Sequence, residues 1–502
     1  MRDYRIIGEN IAQTGFFSEY LPPCFQLNID VFKCPAPANC DVVAPYTFTM
    51  SRFNGNDARR IISLPEIGAY IAAHNYINEK NLIKDLIEFA EQSNASFSPI
   101  LGQDDSIIRH EQAYENHPEM GQPIPTQYIE NIEKKLIRAA GARQILKLDI
   151  SNCFSSFYMH MIPAIFLGVE IAEQEYRKNQ KRGEETASEQ YKKYSKLDVA
   201  IRKQNLNRTN GLLVGPLLSK IIVEAILTRI DLELEAVGIH FSRYVDDYEV
   251  YLYRHEEKEI ISVFEKILKQ YGFFLNSEKT ELIDFPYYVE ENFEKLLDSR
   301  LRDNMNQQEL MELFNTFFLM EKNGVKGAIR YILKAIESRT VTIECPLFKA
   351  YLLSIIANNE RSLSKACSLL IVNKDKLPLE EKDIEIITSM LSYQIVCKHD
   401  LEVIWLLYLL IQTTHIKKDD QIVEKLVDSD NELAQVMLLR KDLLSEKLID
   451  QIRSKANSWI LLYELYSEAY IDEEMFVDKL GIEKNIDMYR SFRHRKIHFC
   501  TI

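Results

Sequence analysis

The 502-residue chain carries a formal net charge of −14 and is 27% charged and 46% hydrophobic. It is too long for one ordinary core and too acidic to clasp a long nucleic-acid duplex, which needs a broad basic surface. The eight cysteines are scattered, with no paired zinc spacing at Cys24, Cys34 or Cys40, so reduced thiols are expected rather than a disulfide framework.

From the amino terminus, Met1-Arg2-Asp3-Tyr4 runs into interrupted apolar residues without a signal-peptide core, and a cytoplasmic protein with no membrane contact is expected. Val403 to Ile411 is apolar but spans nine residues, a buried helix rather than a bilayer crossing. Arg59 and Arg60 lead a short apolar run closed by Pro65. Leu146-Lys147-Leu148-Asp149 reads as a strand ending in a carboxylate, then turning after Phe154 into a helix predicted over Ser155 to His160. The basic run at 177–182 is expected to be a solvated helix face. Gly211 and Gly215 allow close backbone approach of a substrate, and Pro216 opens a helix where its missing N–H costs nothing.

Residues 241–253 form two aromatic-rich strand runs meeting at Asp246 and Asp247, a hairpin that pushes both carboxylates out together. Like charges this close raise one pKa and are costly unless a divalent cation or solvent compensates. With Asp149, one strand and one hairpin would present three carboxylates. Two Mg²⁺ ions ~3.5–4 Å apart need such shared hard oxygens to stabilise attacking and leaving oxygens in phosphoryl displacement.

Beyond residue 290 the composition shifts: the first 290 residues hold 13 of the 16 glycines and 13 of the 15 prolines. Leu347–Ala357, Glu381–Cys397, Leu401–Ile411 and Gln421–Val427 recur between short polar breaks. An all-α region of HEAT-like helix pairs is predicted over 291–502, after an α+β region over 1–290. The basic tail Tyr489 to Lys496 interleaves rings with cations and is expected to hold single-stranded product by stacking and charge. His494, His498 and Cys500 in that tail have suggestive metal spacing.

Taken in order, these segments resemble the palm and fingers of reverse transcriptases. Asp149 with Phe154 looks like motif A, Gly211 to Ser219 like motif B, Tyr244-Val245-Asp246-Asp247 like motif C, Gly272 to Thr280 like motif D, and Arg60-Ile61-Ile62-Ser63-Leu64-Pro65 like the fingers motif. Ala58-Arg59-Arg60, Phe157 to Pro163, Ser242-Arg243 and Lys326-Gly327-Ala328-Ile329 narrow the resemblance to the Abi (abortive infection) polymerases of bacteria, AbiK-like and prophage-borne in type. The resemblance implies a reverse-transcriptase-like palm and fingers, followed by the helical repeats in place of the thumb.

It further implies an antiphage DNA polymerase that uses dNTPs and no template, primes on a tyrosine of its own chain and stays covalently attached to its single-stranded DNA product. Asp149, Asp246 and the Ile150 carbonyl would hold two Mg²⁺, with Mn²⁺ as a substitute, and Asp247 would support the cluster. Arg60, with Arg59 beside it, would grip the triphosphate through the multidentate guanidinium. Phe154 beneath the sugar would exclude a 2′-hydroxyl. Gly215 would let the nucleotide approach, and Lys279 would protonate pyrophosphate.

Motif B departs from template-copying relatives: Leu213-Val214 stand where those usually carry Pro-Gln, which puts template reading in doubt. Tyr4 and Tyr20 are candidate primers among 26 tyrosines. A homo-oligomer is expected. Two rival readings remain: an RNA-templated reverse transcriptase in phage defence, and a catalytically weak nucleotide-sensing scaffold whose helical repeats bind a partner protein.

Overall fold

The structure, a computed structural model, describes residues 2–35, 40–51, 59–102, 104–108, 128–182, 186–287, 300–302, 305–325, 327–338 and 346–502. The expected boundary at 290 lies outside them, as do Ala58 and Lys326. Strands β1 (Tyr46–Met50) and β2 (Arg60–Leu64) pair antiparallel, with Met50 opposite Arg60. The strands β3 (Gln144–Asp149), β4 (Phe241–Tyr244), β5 (Asp247–Leu252) and β6 (Glu281–Asp284) make a second antiparallel sheet in the order β4-β5-β3-β6. Alternation builds β3: Leu146 and Leu148 go inward while Lys147 faces out.

Helices α1 (Tyr4–Thr14), α2 (Ile67–Glu79), α3 (Leu82–Ala90), α4 (Tyr128–Arg138), α5 (Cys153–Ser156), α6 (Ile162–Leu167), α7 (Val169–Arg182), α8 (Glu189–Lys203), α9 (Leu217–Ala236) and α10 (Glu257–Gln270) surround the sheets. α9 follows Pro216 and is apolar around nearly its whole circumference, because α3, α6 and α10 cover it. The helix predicted over Ser155 to His160 is replaced by the short α5 and a 3₁₀ turn, Met159–Met161. Between them Phe157 is extended, its carbonyl accepting from the Gly211 N–H at 2.9 Å, while Tyr158 bridges Asn210. A tertiary strand-like contact outcompetes the local helix there.

The carboxyl-terminal part contains twelve helices among the described residues: α11 (Gln307–Lys322), α12 (Ala328–Ser338), α13 (Pro346–Asn358), α14 (Glu360–Val372), α15 (Glu381–Cys397), α16 (Asp400–Gln412), α17 (Gln421–Asp428), α18 (Glu432–Arg440), α19 (Glu446–Lys455), α20 (Trp459–Ser467), α21 (Glu473–Leu480) and α22 (Ile486–His494). They stack in two layers. α12, α14, α16, α18, α20 and α22 succeed one another in one layer, and α13, α15, α17 and α19 in the other. This is the repeat-pair arrangement that the composition shift predicts. α16 is buried from Leu401 to Ile411 because it is covered by neighbouring helices and by β1.

Two large apolar cores result. One joins Phe16, Phe48, Ile62 and Tyr70 to the helical layers through Trp405, Trp459 and Phe499. The other joins α1 and α3 to the four-stranded sheet and α9. Polar ties reinforce the first: Asp400 Oδ2 accepts from the Thr49 N–H at 2.8 Å, Trp405 Nε1 donates to Tyr20 O at 2.8 Å, and buried Glu66 accepts from the Tyr489 hydroxyl at 2.6 Å. Among the described residues, no helix is long and apolar enough to cross a membrane.

Candidate active site

Pairing of β3 with β5 sets Asp149 directly opposite Asp247, and pairing of β4 with β5 sets Tyr244 opposite the same residue. Val245 and Asp246 are left as a two-residue turn. Val245 has φ of +54°, the left-handed value that such a tight hairpin needs. The Ile150 N–H donates to Asp246 O at 3.2 Å and ties the end of β3 to this turn. Sequence positions nearly 100 residues apart thus meet at one sheet edge.

The carboxylates feel one another. Burial and then the neighbouring Asp246 and Asp149 push Asp247 up to about 7. Asp246 is also raised, first by desolvation, while Lys279 and Arg60 oppose the shift. Arg60, exposed on β2, is therefore near enough to act on the carboxylate of the turn. Lys279 comes from a 3₁₀ turn, Ser277–Lys279, and its Nζ lies 2.7 Å from Asp149 Oδ2. Asn276 Nδ2 donates to Asp149 Oδ1 at 3.1 Å.

The turn stands on a buried ionic network. Arg243 is fully buried and bonds both oxygens of Asp231, through Nε at 2.9 Å to each, and both oxygens of Glu224, at 2.7 and 3.1 Å. Its Nη1 also donates to Val245 O at 2.9 Å, so one guanidinium holds the hairpin turn to α9.

The remaining expected residues, Phe154 and Gly215, are held through motif B. Phe154 is half-buried, and its carbonyl accepts from the Leu212 N–H at 2.9 Å, joining motif A to motif B. Gly215 has φ of +134°, and a Cβ there would lie 2.7 Å from Ser63 O. Its glycine is required by close approach to β2, reinforced by the Ser63 N–H donating to Val214 O at 2.7 Å. Motif B therefore braces the strand that carries Arg60. Arg59 is not in the site: it pairs with Glu360 at 3.2 Å and with buried Glu402, holding β2 against the helical layers.

The tail also departs from expectation. Tyr489 and Phe492 are buried in the core, Arg490 is held by Glu473 and Asp487, and Arg493 lies over the Tyr466 ring at 4.5 Å. No stacking platform is left there for a nucleic-acid strand. His498 Nδ1 pairs with Glu464 at 2.9 Å and Cys500 is buried beside Cys24, and among the described residues no group of three His, Cys, Asp or Glu side chains that could hold a metal forms there. Tyr4 and Tyr20 are half-buried, Tyr4 against the palm core and Tyr20 against the helical core.

Comparison with known proteins fits this geometry. Residues 105–308 match the family described as reverse transcriptase (RNA-dependent DNA polymerase). Over those residues the chain has a reverse-transcriptase-like domain. Similar solved structures include apo telomerase from Candida tropicalis, at 10% identity and a TM-score of 0.34, covering 79% of this chain and 69% of that one. Telomerase from Candida albicans with a fragment of telomeric RNA is 11% identical at a TM-score of 0.30, covering 71% of this chain and 62% of that one. No curated protein matches the chain.

Within the reverse-transcriptase domain, three residues with structural duties at the site had escaped notice: Glu224, Asp231 and Asn276. The first two had a readable signal, since acids seven positions apart share one face of an otherwise apolar helix and require a buried cation. Asn276 had none, because its bond to Asp149 depends on where the motif D turn lands.

Among the described residues, no three His, Cys, Asp or Glu side chains form a cage for an ion. The donor set still fits Mg²⁺, which usually takes one or two carboxylates and completes its shell with water and substrate phosphates. Burial, with the charge of neighbouring carboxylates added, raises Asp246 and Asp247, and a divalent cation would offset both costs.

Proposed function

We propose that this protein is a template-independent, protein-primed DNA polymerase of abortive infection, adding dNTPs to a tyrosine of its own chain in phage defence. The observation that carries the polymerase reading is the meeting of Asp149, Asp246 and Asp247 at one edge of an antiparallel sheet. Asp149, Asp246 and the Ile150 carbonyl would hold two Mg²⁺, which when bound supply charge neutralisation to the attacking and leaving oxygens. In this reading Asp247 supports the cluster, Arg60 steadies the triphosphate, Lys279 donates a proton to pyrophosphate, and Phe154 selects deoxyribose.

Absence of a template is supported by motif B. Leu213 is buried and Val214 is bonded to β2, so no amide side chain stands where template-copying relatives place one. The acidic chain and the ion-paired tail also argue against a clasped duplex. A second reading, RNA-templated synthesis, is favoured by the family description matched over residues 105–308.

Purified protein incubated with labelled dNTPs and Mg²⁺, without nucleic acid, and run on a denaturing gel tests this. A slowly migrating label that collapses on protease treatment is expected. Label that appears only with added primer and RNA template would support the second reading instead.

A further inference from the structure

The Asp149 carboxylate already has a cation. Lys279 Nζ lies 2.7 Å from Oδ2, and Asn276 Nδ2 donates to Oδ1 at 3.1 Å, so both oxygens are engaged. Backbone bonds deliver the ammonium: the Asn276 N–H donates to Asp149 O and the Ser151 N–H to Phe274 O, each at 2.8 Å, which laces the motif D turn to the end of β3. Leu275 and Ile150 form a bridge between them. The Lys279 side chain is 57% exposed, against 7% for Asp149. Its head can therefore swing into solvent without unpacking the core, while the carboxylate stays in place. A divalent ion that takes Asp149 as a ligand meets the repulsion of an ammonium 2.7 Å from Oδ2, so ion and lysine compete for the one carboxylate.

We propose that Lys279 is the counter-ion of the metal-free site and competes with divalent metal for Asp149. Displacement then frees its ammonium to meet the incoming triphosphate. This rests on the polymerase reading above and adds to it a control on loading: without nucleotide to receive it, the lysine holds the site against metal. Lys279 is a positioning residue in this role, acting through Asp149.

The test uses Mn²⁺ as probe, titrated into the full chain without nucleotide and followed by electron paramagnetic resonance of the free ion. Lys279→Gln and Lys279→Met should each bind Mn²⁺ roughly two- to fivefold more tightly than the wild type, the range set by loss of a partly exposed ion pair. Lys279→Arg keeps the charge and should stay within about twofold. Lys147→Gln, which removes a charge two residues along β3 that makes no bond to Asp149, should also leave affinity unchanged. Equal or weaker binding by both neutral variants overturns the proposal, and weaker binding is what a purely structural lysine would give. If wild type, Lys279→Gln and Asp149→Asn all bind Mn²⁺ alike, the metal site itself fails, and the proposal with it.

Discussion

Replacing Arg243 with methionine should unseat the hairpin that carries Asp246 and Asp247. Arg243 is the sole cation bonded to two buried carboxylates among the described residues, at 2.9 Å to each oxygen of Asp231 and 2.7 and 3.1 Å to Glu224. Asp231 also accepts from Ser93 Oγ at 2.6 Å and the Tyr248 hydroxyl at 3.1 Å, and Glu224 from Ser96 Oγ at 2.6 Å. These neutral donors share the charge but do not cancel it. Methionine fills much of the volume, so the main cost is two desolvated carboxylates without a partner, about 3–5 kcal/mol for a broken buried pair. Set against a typical total of 5–15 kcal/mol, that is a large fraction of the stability of the palm.

Urea unfolding followed by circular dichroism at neutral pH reads the loss. The triple variant Arg243→Met, Glu224→Gln, Asp231→Asn removes the charges as well and should recover at least half of it. Burial already raises Asp231, and without the arginine that acid should hold its proton more tightly in the folded than in the unfolded chain. The deficit of Arg243→Met should then shrink on acidification. A loss under about 1 kcal/mol, or a triple variant no better than the single one, would refute the reasoning.

Three further outcomes are expected. With Asp247 raised to about 7 from its usual 3.8, the metal-free folded chain keeps a proton through that window which the unfolded chain has released. Its contribution to stability therefore falls as pH rises from 3.8 to about 7; Asp247→Asn should flatten the slope of melting temperature against pH, and an unchanged slope would count against the carboxylate coupling. Gly215→Ala places a Cβ 2.7 Å from Ser63 O at positive φ, and should cost about 1–3 kcal/mol while weakening nucleotide use through β2, both measurable by thermal melting and dNTP titration. Phe154→Val should raise incorporation of ribonucleotides relative to deoxyribonucleotides roughly tenfold or more, read by competition between labelled dTTP and UTP.

Much of the site was legible because it depends on short-range pattern. Alternation around Asp246 and Asp247 dictates a hairpin, an apolar strand delivers Asp149 to its end, and loss of glycine and proline announces the helices, whose edges at Glu381 and Gln421 match the composition breaks. What escaped depends on tertiary partners. Arg59 looks like its neighbour Arg60, yet Glu402, more than 300 residues away, claims it. The tail was misread for another reason: Tyr489 and Phe492 are spaced by three residues, so they share the buried face of α22 while Arg490 and Arg493 point elsewhere. Interleaving along the chain became segregation around the helix. The short α5 likewise reflects Tyr158 pairing with Asn210, a contact no local window contains.

The most direct measurement is incorporation of labelled dNTP into the chain with Mg²⁺, compared between wild type and Asp246→Asn, with circular dichroism establishing that both are folded. Asp246 lies in the turn, half-buried, and its substitution by the isosteric amide leaves the Arg243 network untouched. The expected result is labelled product from the wild type and none from the variant at equal fold content. Undiminished labelling of the variant would contradict the claim that these carboxylates perform nucleotidyl transfer.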